Sequence, residues 1–313
     1  MKPPGLSRGS PGTTGTPPRP MTLPPSAAAP ASPPVRDAYA HCRRLAKSHY
    51  ENFPVASRWI PAELRDPVAA VYAFARTADD FADEPGPSDA ERLALLADWR
   101  RRLHAPSPEG HPVFTALADA RRRFDLPPDP FDRLITAFER DVSVRRHPTF
   151  EDVLVYCRHS ANPVGELVLR LHRAWTPERG RWSDAICTAL QLANFWQDVS
   201  VDALKDRIYF PLEDLRAAGV TENAVLRGPA SPALRQLVEQ QVRRTWDFFN
   251  EGRPLLADAP RGLRRELRLV WLGGTAILQK IERQRFDPWS ARPSLSLWDW
   301  VRLGVRWWRG EPR

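Results

Sequence analysis

An apolar helix ending in carboxylates, DPVAAVYAFARTADDFADE at residues 66–84, constrains this 313-residue chain more than any other stretch. At about 100° per residue, Tyr72, Arg76, Asp79 and Asp83 fall within roughly 60° of one another, with Asp80 to the side. A ring, a cation and two acids therefore share one face. The rest of this helix is Val, Ala and Phe, a pattern that is apolar nearly all round and predicts burial in a bundle. Carboxylates at that end need a partner, because uncompensated charge is costly away from water. A divalent cation bridging to an anionic ligand supplies one, and magnesium suits carboxylate oxygens whose shell is completed by phosphates. A solvated helix end would also explain these acids, but a second cluster argues otherwise. In QLANFWQDVSVD, Asn194, Asp198 and Asp202 recur every four residues along another helical pattern, each step about 6 Å along the axis. Two such stripes facing each other would make a metal-lined mouth above an apolar interior.

The net charge of +8 comes mostly from arginines spread along helices. That distribution suits anionic substrates or an anionic membrane surface, and nucleic acid is not an expected partner. Cys42, Cys157 and Cys187 lie far apart without CxxC spacing, which points away from disulfides and zinc and towards a reducing cytoplasm. There is no apolar run long enough to span a bilayer and no signal-peptide core.

Residues 1–36 are rich in Pro, Gly, Ser and Thr and are expected to be a disordered tail. From Asp37 the patterning is helical, with helices expected at 37–49, 66–84, 89–103, 112–122, 130–142, 150–172 with a break at Pro163, 183–203, 212–218, 231–250 and 260–284. With no strand signal and no linker after residue 36, residues 37–287 read as one all-α domain. Residues 288–313 interleave Trp298, Trp300, Trp307 and Trp308 with Arg302, Arg306 and Arg309. Two readings stay open for this segment, an interfacial amphipathic helix and a C-terminal helix docked on the core. The first would place the protein peripherally at the inner face of the cytoplasmic membrane.

Four stretches, HYENFPVAS (49–57), YAFARTADDFADE (72–84), YCRHSANPVGEL (156–167) and NFWQDVSVDALKDRIYFP (194–211), together resemble the squalene/phytoene synthase family over residues 37–285. The resemblance implies a single-domain helical bundle of the trans-isoprenyl diphosphate synthase (terpenoid synthase) type with a central apolar cavity. It implies that Asp79, Asp80, Asp83, Asn194, Asp198 and Asp202 hold two or three magnesium ions. Tyr72 and Arg76 would contact a prenyl diphosphate, and Arg207 and Tyr209 would close over it. His49, Phe53, Tyr156, Asn162 and Gln191 fall at substrate-facing positions, with Phe53, Tyr156 and Phe195 as ring faces for a carbocation. His159 and His172 carry no such expectation.

HYENFPVAS and SANPVG look most like the hopanoid-pathway branch, which converts presqualene diphosphate to hydroxysqualene. Tyr50, Glu51, Asn52 and Phe53 stand where many members carry hydroxyl and lysine contacts to a second diphosphate, which suits a substrate with one. Pro163 interrupts a helix beside the expected cavity, and Asn162 could hold a water, although Asn-Pro is also an ordinary turn. The function expected is therefore magnesium-dependent release of diphosphate with water quenching the cation, and no NADPH. The rivals are condensation of two prenyl diphosphates to squalene or phytoene precursors, and an inactive family-fold scaffold or assembly protein. Possession of both acidic clusters favours catalysis over the scaffold. Neighbouring pathway enzymes are conceivable partners.

Overall fold

In this computed structural model the described residues are 33–48, 60–107, 110–296, 298, 299, 302–304 and 307. His49 and Phe53, with the rest of HYENFPVAS, lie outside them. The helices are α1 (Pro33–Ser48), α2 (Ala62–Asp83), α3 (Asp89–Leu103), α4 (Pro112–Phe124), α5 (Asp129–Ser143), α6 (Phe150–Ser160), α7 (Asn162–Leu171), α8 (Pro177–Gln197), α9 (Val199–Leu204), α10 (Leu212–Ala217), α11 (Glu222–Arg227), α12 (Pro232–Gly252), α13 (Leu255–Asp258) and α14 (Arg261–Arg283). Among the described residues the sole β feature is an isolated parallel bridge between Arg146 and Ile208.

Alternating polar and apolar stripes put these helices around two apolar clusters. The first joins α1 to α5 through Tyr39, Phe74, Trp99, Phe114 and Phe131. Phe74 centres it, with ring centroids 5.7 Å from Trp99, 6.0 Å from Phe114 and 5.2 Å from Phe131. Such offset and edge contacts add to plain burial, and Trp99 Nε1 donates to the Phe74 carbonyl at 3.3 Å. The second cluster gathers α6, α8, α12 and α14 around Leu192, Trp196, Phe249 and Leu278. α5, α6 and α7 pack on one another and reach both α2 and α8.

Four expectations change in the structure. α1 starts at Pro33, so residues 33–36 belong to the first helix rather than to the tail. α2 buries one face, including Ala69, Ala70, Ala73, Phe74 and Ala78, and leaves Tyr72, Arg76, Asp79 and Asp80 half-exposed. It is therefore amphipathic, not apolar all round. The α6–α7 break falls at Ala161, and Pro163 lies in the first turn of α7, where its missing N–H costs nothing. α8 begins six residues earlier than expected, at Pro177, and is capped by Thr176; Asp198 then separates it from α9.

The described part of the C-terminal segment docks on α14. Leu303 is buried with Leu272 and Ala276, Lys280 pairs with Asp299 at 2.6 Å, and Trp307 Nε1 donates to the Arg265 carbonyl at 3.0 Å.

Candidate active site

Small residues on the buried face of α2 seat it close to its neighbours, and the acid-bearing face is left for the site. Arg76 reaches Asp79 at 3.2 Å and Asp80 at 2.5 Å. Asp80 thus belongs to the Arg76 face rather than beside it, because a long guanidinium spans both the three- and four-residue spacings.

The second cluster keeps its spacing across the interruption at Asp198. The Asp198 N–H donates to the Asn194 carbonyl at 2.9 Å, and the Asp202 N–H to the Asp198 carbonyl at 2.8 Å. Asn194 Nδ2 donates to Asp198 Oδ2 at 3.0 Å, and Gln191 lies one turn earlier on α8. Asp206, at a left-handed φ of 54°, then turns the chain into Arg207–Phe210. That strip is fastened beside the end of α5 by Ile208 N–H to the Arg145 carbonyl (3.0 Å) and Leu212 N–H to the His147 carbonyl (2.9 Å).

This path carries the second cluster to the first. Lys205 Nζ pairs with Asp83 Oδ2 at 2.7 Å and Arg207 with Asp83 Oδ1 at 2.8 Å. Arg207 also donates to the Asp141 carbonyl at 3.1 Å. Arg292 pairs with Asp198 at 2.5 Å. Asp141, Lys205 and Arg292 were not among the sequence-derived candidates. Asp141 sits inside an ordinary amphipathic helix and Arg292 in an unpatterned stretch, so neither carries a local signal; Lys205 lies within ALKDRIYFP but reads as a surface lysine.

Below the acids the wall is aromatic. Phe195 and Tyr209 stack at 3.7 Å and 9°, Tyr156 lies 5.9 Å from Phe195, and buried His147 stacks on Tyr209 at 5.6 Å. Tyr156 donates its hydroxyl to Asp141 at 3.0 Å. Asn162 is buried and accepts from Thr188 Oγ1 at 3.0 Å, which ties α7 to α8 and leaves its amide N–H groups as donors. His159 is held by the Val155 carbonyl at 2.8 Å.

The electrostatics follow from this crowding of acids. Desolvation raises Asp79 above the usual carboxylate range, with Asp83 and Asp80 adding to the effect and Arg76 opposing it; two fifths of its side chain nevertheless remains accessible. Asp83 is also desolvated, but Lys205 and Arg207 outweigh that and hold it low. Burial pushes Asp202 up to about 7, reinforced by Asp198 and by Asp83 from the opposite cluster. Asp141 is likewise pushed up to about 7 by burial, against the opposing effects of Tyr156 and Arg207.

An acid with a raised pKa keeps its proton in the folded state while the unfolded chain has lost it. Between the ordinary value of 3.8 and about 7, the folded state therefore binds more protons, and stability falls as pH rises through that window. In EDTA-containing buffer, Asp202→Asn is expected to melt above the parent at pH 8, with the difference vanishing towards pH 4. A melting curve shifted equally at both pH values would show that Asp202 is not a buried, strained carboxyl.

Magnesium fits the chemistry of this donor set. Asp79, Asp83, Asp198 and Asp202 present hard carboxylate oxygens and Asn194 an amide oxygen, and the Asp202 carboxylate makes no ion pair with a described residue. As arranged here, no three ligand-type side chains among the described residues converge as a ready site; Lys205 and Arg207 stand against Asp83, and Arg292 against Asp198. The guanidinium Nε atoms of Arg76 and Arg207 are buried and donate to nothing among the described residues. Buried donors of this kind call for an acceptor.

An all-α bundle in which two helix-borne acidic clusters meet over an aromatic wall defines a prenyl synthase of the terpenoid synthase fold. The profile of the squalene/phytoene synthase family matches residues 46–299, and the chain belongs to that family of head-to-head prenyl synthases. It is 40% identical over 200 residues to a hydroxysqualene synthase from Zymomonas mobilis, a match covering 62% of this chain and just under two thirds (66%) of that protein. To a hydroxysqualene synthase from Rhodopseudomonas palustris it is 37% identical over 222 residues, or 69% and 74% of the two chains. The crystal structure of squalene synthase HpnC from Alicyclobacillus acidocaldarius superposes with a TM-score of 0.75 at 41% identity, over 82% of this chain and 97% of that one.

Proposed function

We propose that this enzyme converts presqualene diphosphate to hydroxysqualene with release of diphosphate, a magnesium-dependent step of hopanoid-type triterpenoid synthesis that uses no NADPH. The observation that carries the reading is the pairing of Asp83, in the first cluster, with Lys205 and Arg207, which follow the second, together with buried Nε donors on Arg76 and Arg207 that meet no acceptor among the described residues. Likeness to two hydroxysqualene synthases supports the choice of product.

Asp79, Asp80, Asp83, Asn194, Asp198 and Asp202 would hold the metal, which when bound neutralises the leaving diphosphate as charge develops. Arg76 and Arg207 orient the same diphosphate, with planar guanidinium forks suited to phosphate oxygens. Tyr72, on the Arg76 face of α2, would contact it as well. The cyclopropylcarbinyl cation that remains rearranges against Tyr156, Phe195 and Tyr209, whose faces stabilise positive charge and whose packing excludes bulk water. Asn162, with amide donors left over from its bond to Thr188, and Gln191 are candidates to hold the single water that attacks. That water forms the new C–O bond and releases a proton.

Purified protein given presqualene diphosphate and magnesium is expected to form an alcohol without reduced nicotinamide, and in heavy-oxygen water the alcohol should carry the label. Squalene formed only on addition of NADPH would reassign the enzyme as a reductive squalene synthase. Efficient conversion of farnesyl diphosphate alone to presqualene diphosphate would move it one step earlier. No turnover of any prenyl diphosphate would support the scaffold reading.

A further inference from the structure

The C-terminal segment leaves a recess of about 120 Å³ against α14, lined by Lys280, Arg283, Asp299, Arg302 and Leu303. It is separate from the acidic clusters and plays no part in the chemistry proposed above. Within it, Lys280 is committed to Asp299 (2.6 Å) and to the Ser294 carbonyl (2.6 Å). Asp299 is also fastened by the Ser296 N–H and hydroxyl, at 2.7 and 2.6 Å. The acid and one cation therefore cancel. Arg283 and Arg302 are exposed and pair with no described residue, so the recess keeps a surplus of two positive charges. The recess is large enough for several waters and so has room for one phosphodiester group. Trp298, one residue before Asp299, is 77% exposed.

We infer that this recess is a headgroup site through which the enzyme sits on an anionic lipid bilayer. Two observations choose the bilayer over a free anion. A solvent-exposed indole one residue from the recess, with arginines that pair with no described residue, is the combination that rests at headgroup level, ring in the acyl boundary and guanidinium on phosphate. The sequence then adds Arg306, Trp308 and Arg309 around the docked Trp307. Docking of Leu303 on the core gives this surface a fixed orientation. No helix among the described residues is long and apolar enough to cross a membrane, so attachment is peripheral, and its strength comes from charge attraction plus a small apolar area.

The full chain is mixed with phosphatidylcholine vesicles, with and without phosphatidylglycerol, and bound protein is measured by sedimentation. Binding is expected only with the anionic lipid, and it should weaken with salt. Arg283→Gln/Arg302→Gln should bind roughly tenfold more weakly or worse, with an unchanged melting temperature; Arg283→Lys/Arg302→Lys should keep most of the affinity. If the Gln pair folds poorly, Trp298→Ala, at the exposed indole next to Asp299, provides an independent loss of binding. Equal binding to neutral and anionic vesicles, or undiminished binding by the folded Gln pair, overturns the inference. So does a rise in melting temperature with inorganic phosphate that needs Arg283 and Arg302 in a protein that ignores vesicles, since the recess would then be a free-anion site.

Discussion

Asp83→Asn, and separately Asp198→Asn, is expected to lower turnover of presqualene diphosphate by about a hundredfold or more with helix content unchanged. The substitution keeps shape and removes the charge of one acid from each cluster, each of which holds cations from a distant part of the chain. Asp83 holds Lys205 and Arg207, and Asp198 holds Arg292. These pairs are partly solvated, and such pairs contribute about 0–1 kcal/mol, so the fold should survive their loss. What should not survive is the hold on magnesium, for which an amide oxygen is a poor substitute for a carboxylate. A second measurement separates metal from fold: magnesium should raise the parent's melting temperature, as a ligand of the native state does, and should do so far less in either variant. Full activity in Asp83→Asn, or undiminished parent turnover in EDTA, would refute the metal assignment.

Gly252→Val should be the most damaging single change to stability. Gly252 closes α12 where it crosses α8, and a Cβ there would lie 2.4 Å from Ile186 Cγ1, 2.7 Å from the Trp182 carbonyl oxygen and 3.0 Å from the Ile186 amide nitrogen. Two of those atoms are backbone and cannot rotate away. The helices must separate, and overpacking of this kind costs about 3 kcal/mol or more, lowering the melting temperature by roughly 5–10 °C. Because α8 carries Asn194 and leads into Asp198, activity should fall below what residual folded protein explains. Gly273→Ala is the control. Nothing lies within 4 Å of a Cβ at that position in α14, so better helix propensity should leave stability unchanged or raise it by up to about 1 kcal/mol. If Gly252→Val melts with the parent, the close approach of α12 and α8 is not as described.

The pattern 66–84 was sufficient to predict a helix ending in acids, since apolar spacing and carboxylate placement are local properties read every 3.6 residues. The same holds for the recurrence of Asn194, Asp198 and Asp202 and for the all-α class. Resemblance carried the pairing of RTADD with RIYFP, and the ion pairs of Asp83 with Lys205 and Arg207 bring those stretches together. Boundaries were less legible: α8 starts at a Thr-Pro cap read as a loop, and the short α11 and α13 have too few residues to show a period.

What only the tertiary structure decided was charge and company. Asp79, Asp83 and Asp202 look alike in sequence, yet burial raises the first and third while Lys205 and Arg207 lower the second. Asp141 and Arg292 joined the site through partners 66 and 94 residues away, separations that no local pattern encodes. The C-terminal Trp and Arg run left two readings open; in the fold, Leu303 turns inward while Trp298 and Arg302 remain outside. Periodicity fixes which residues share a face, but desolvation and Coulomb energy depend on what stands opposite that face, and that is set only when distant helices pack.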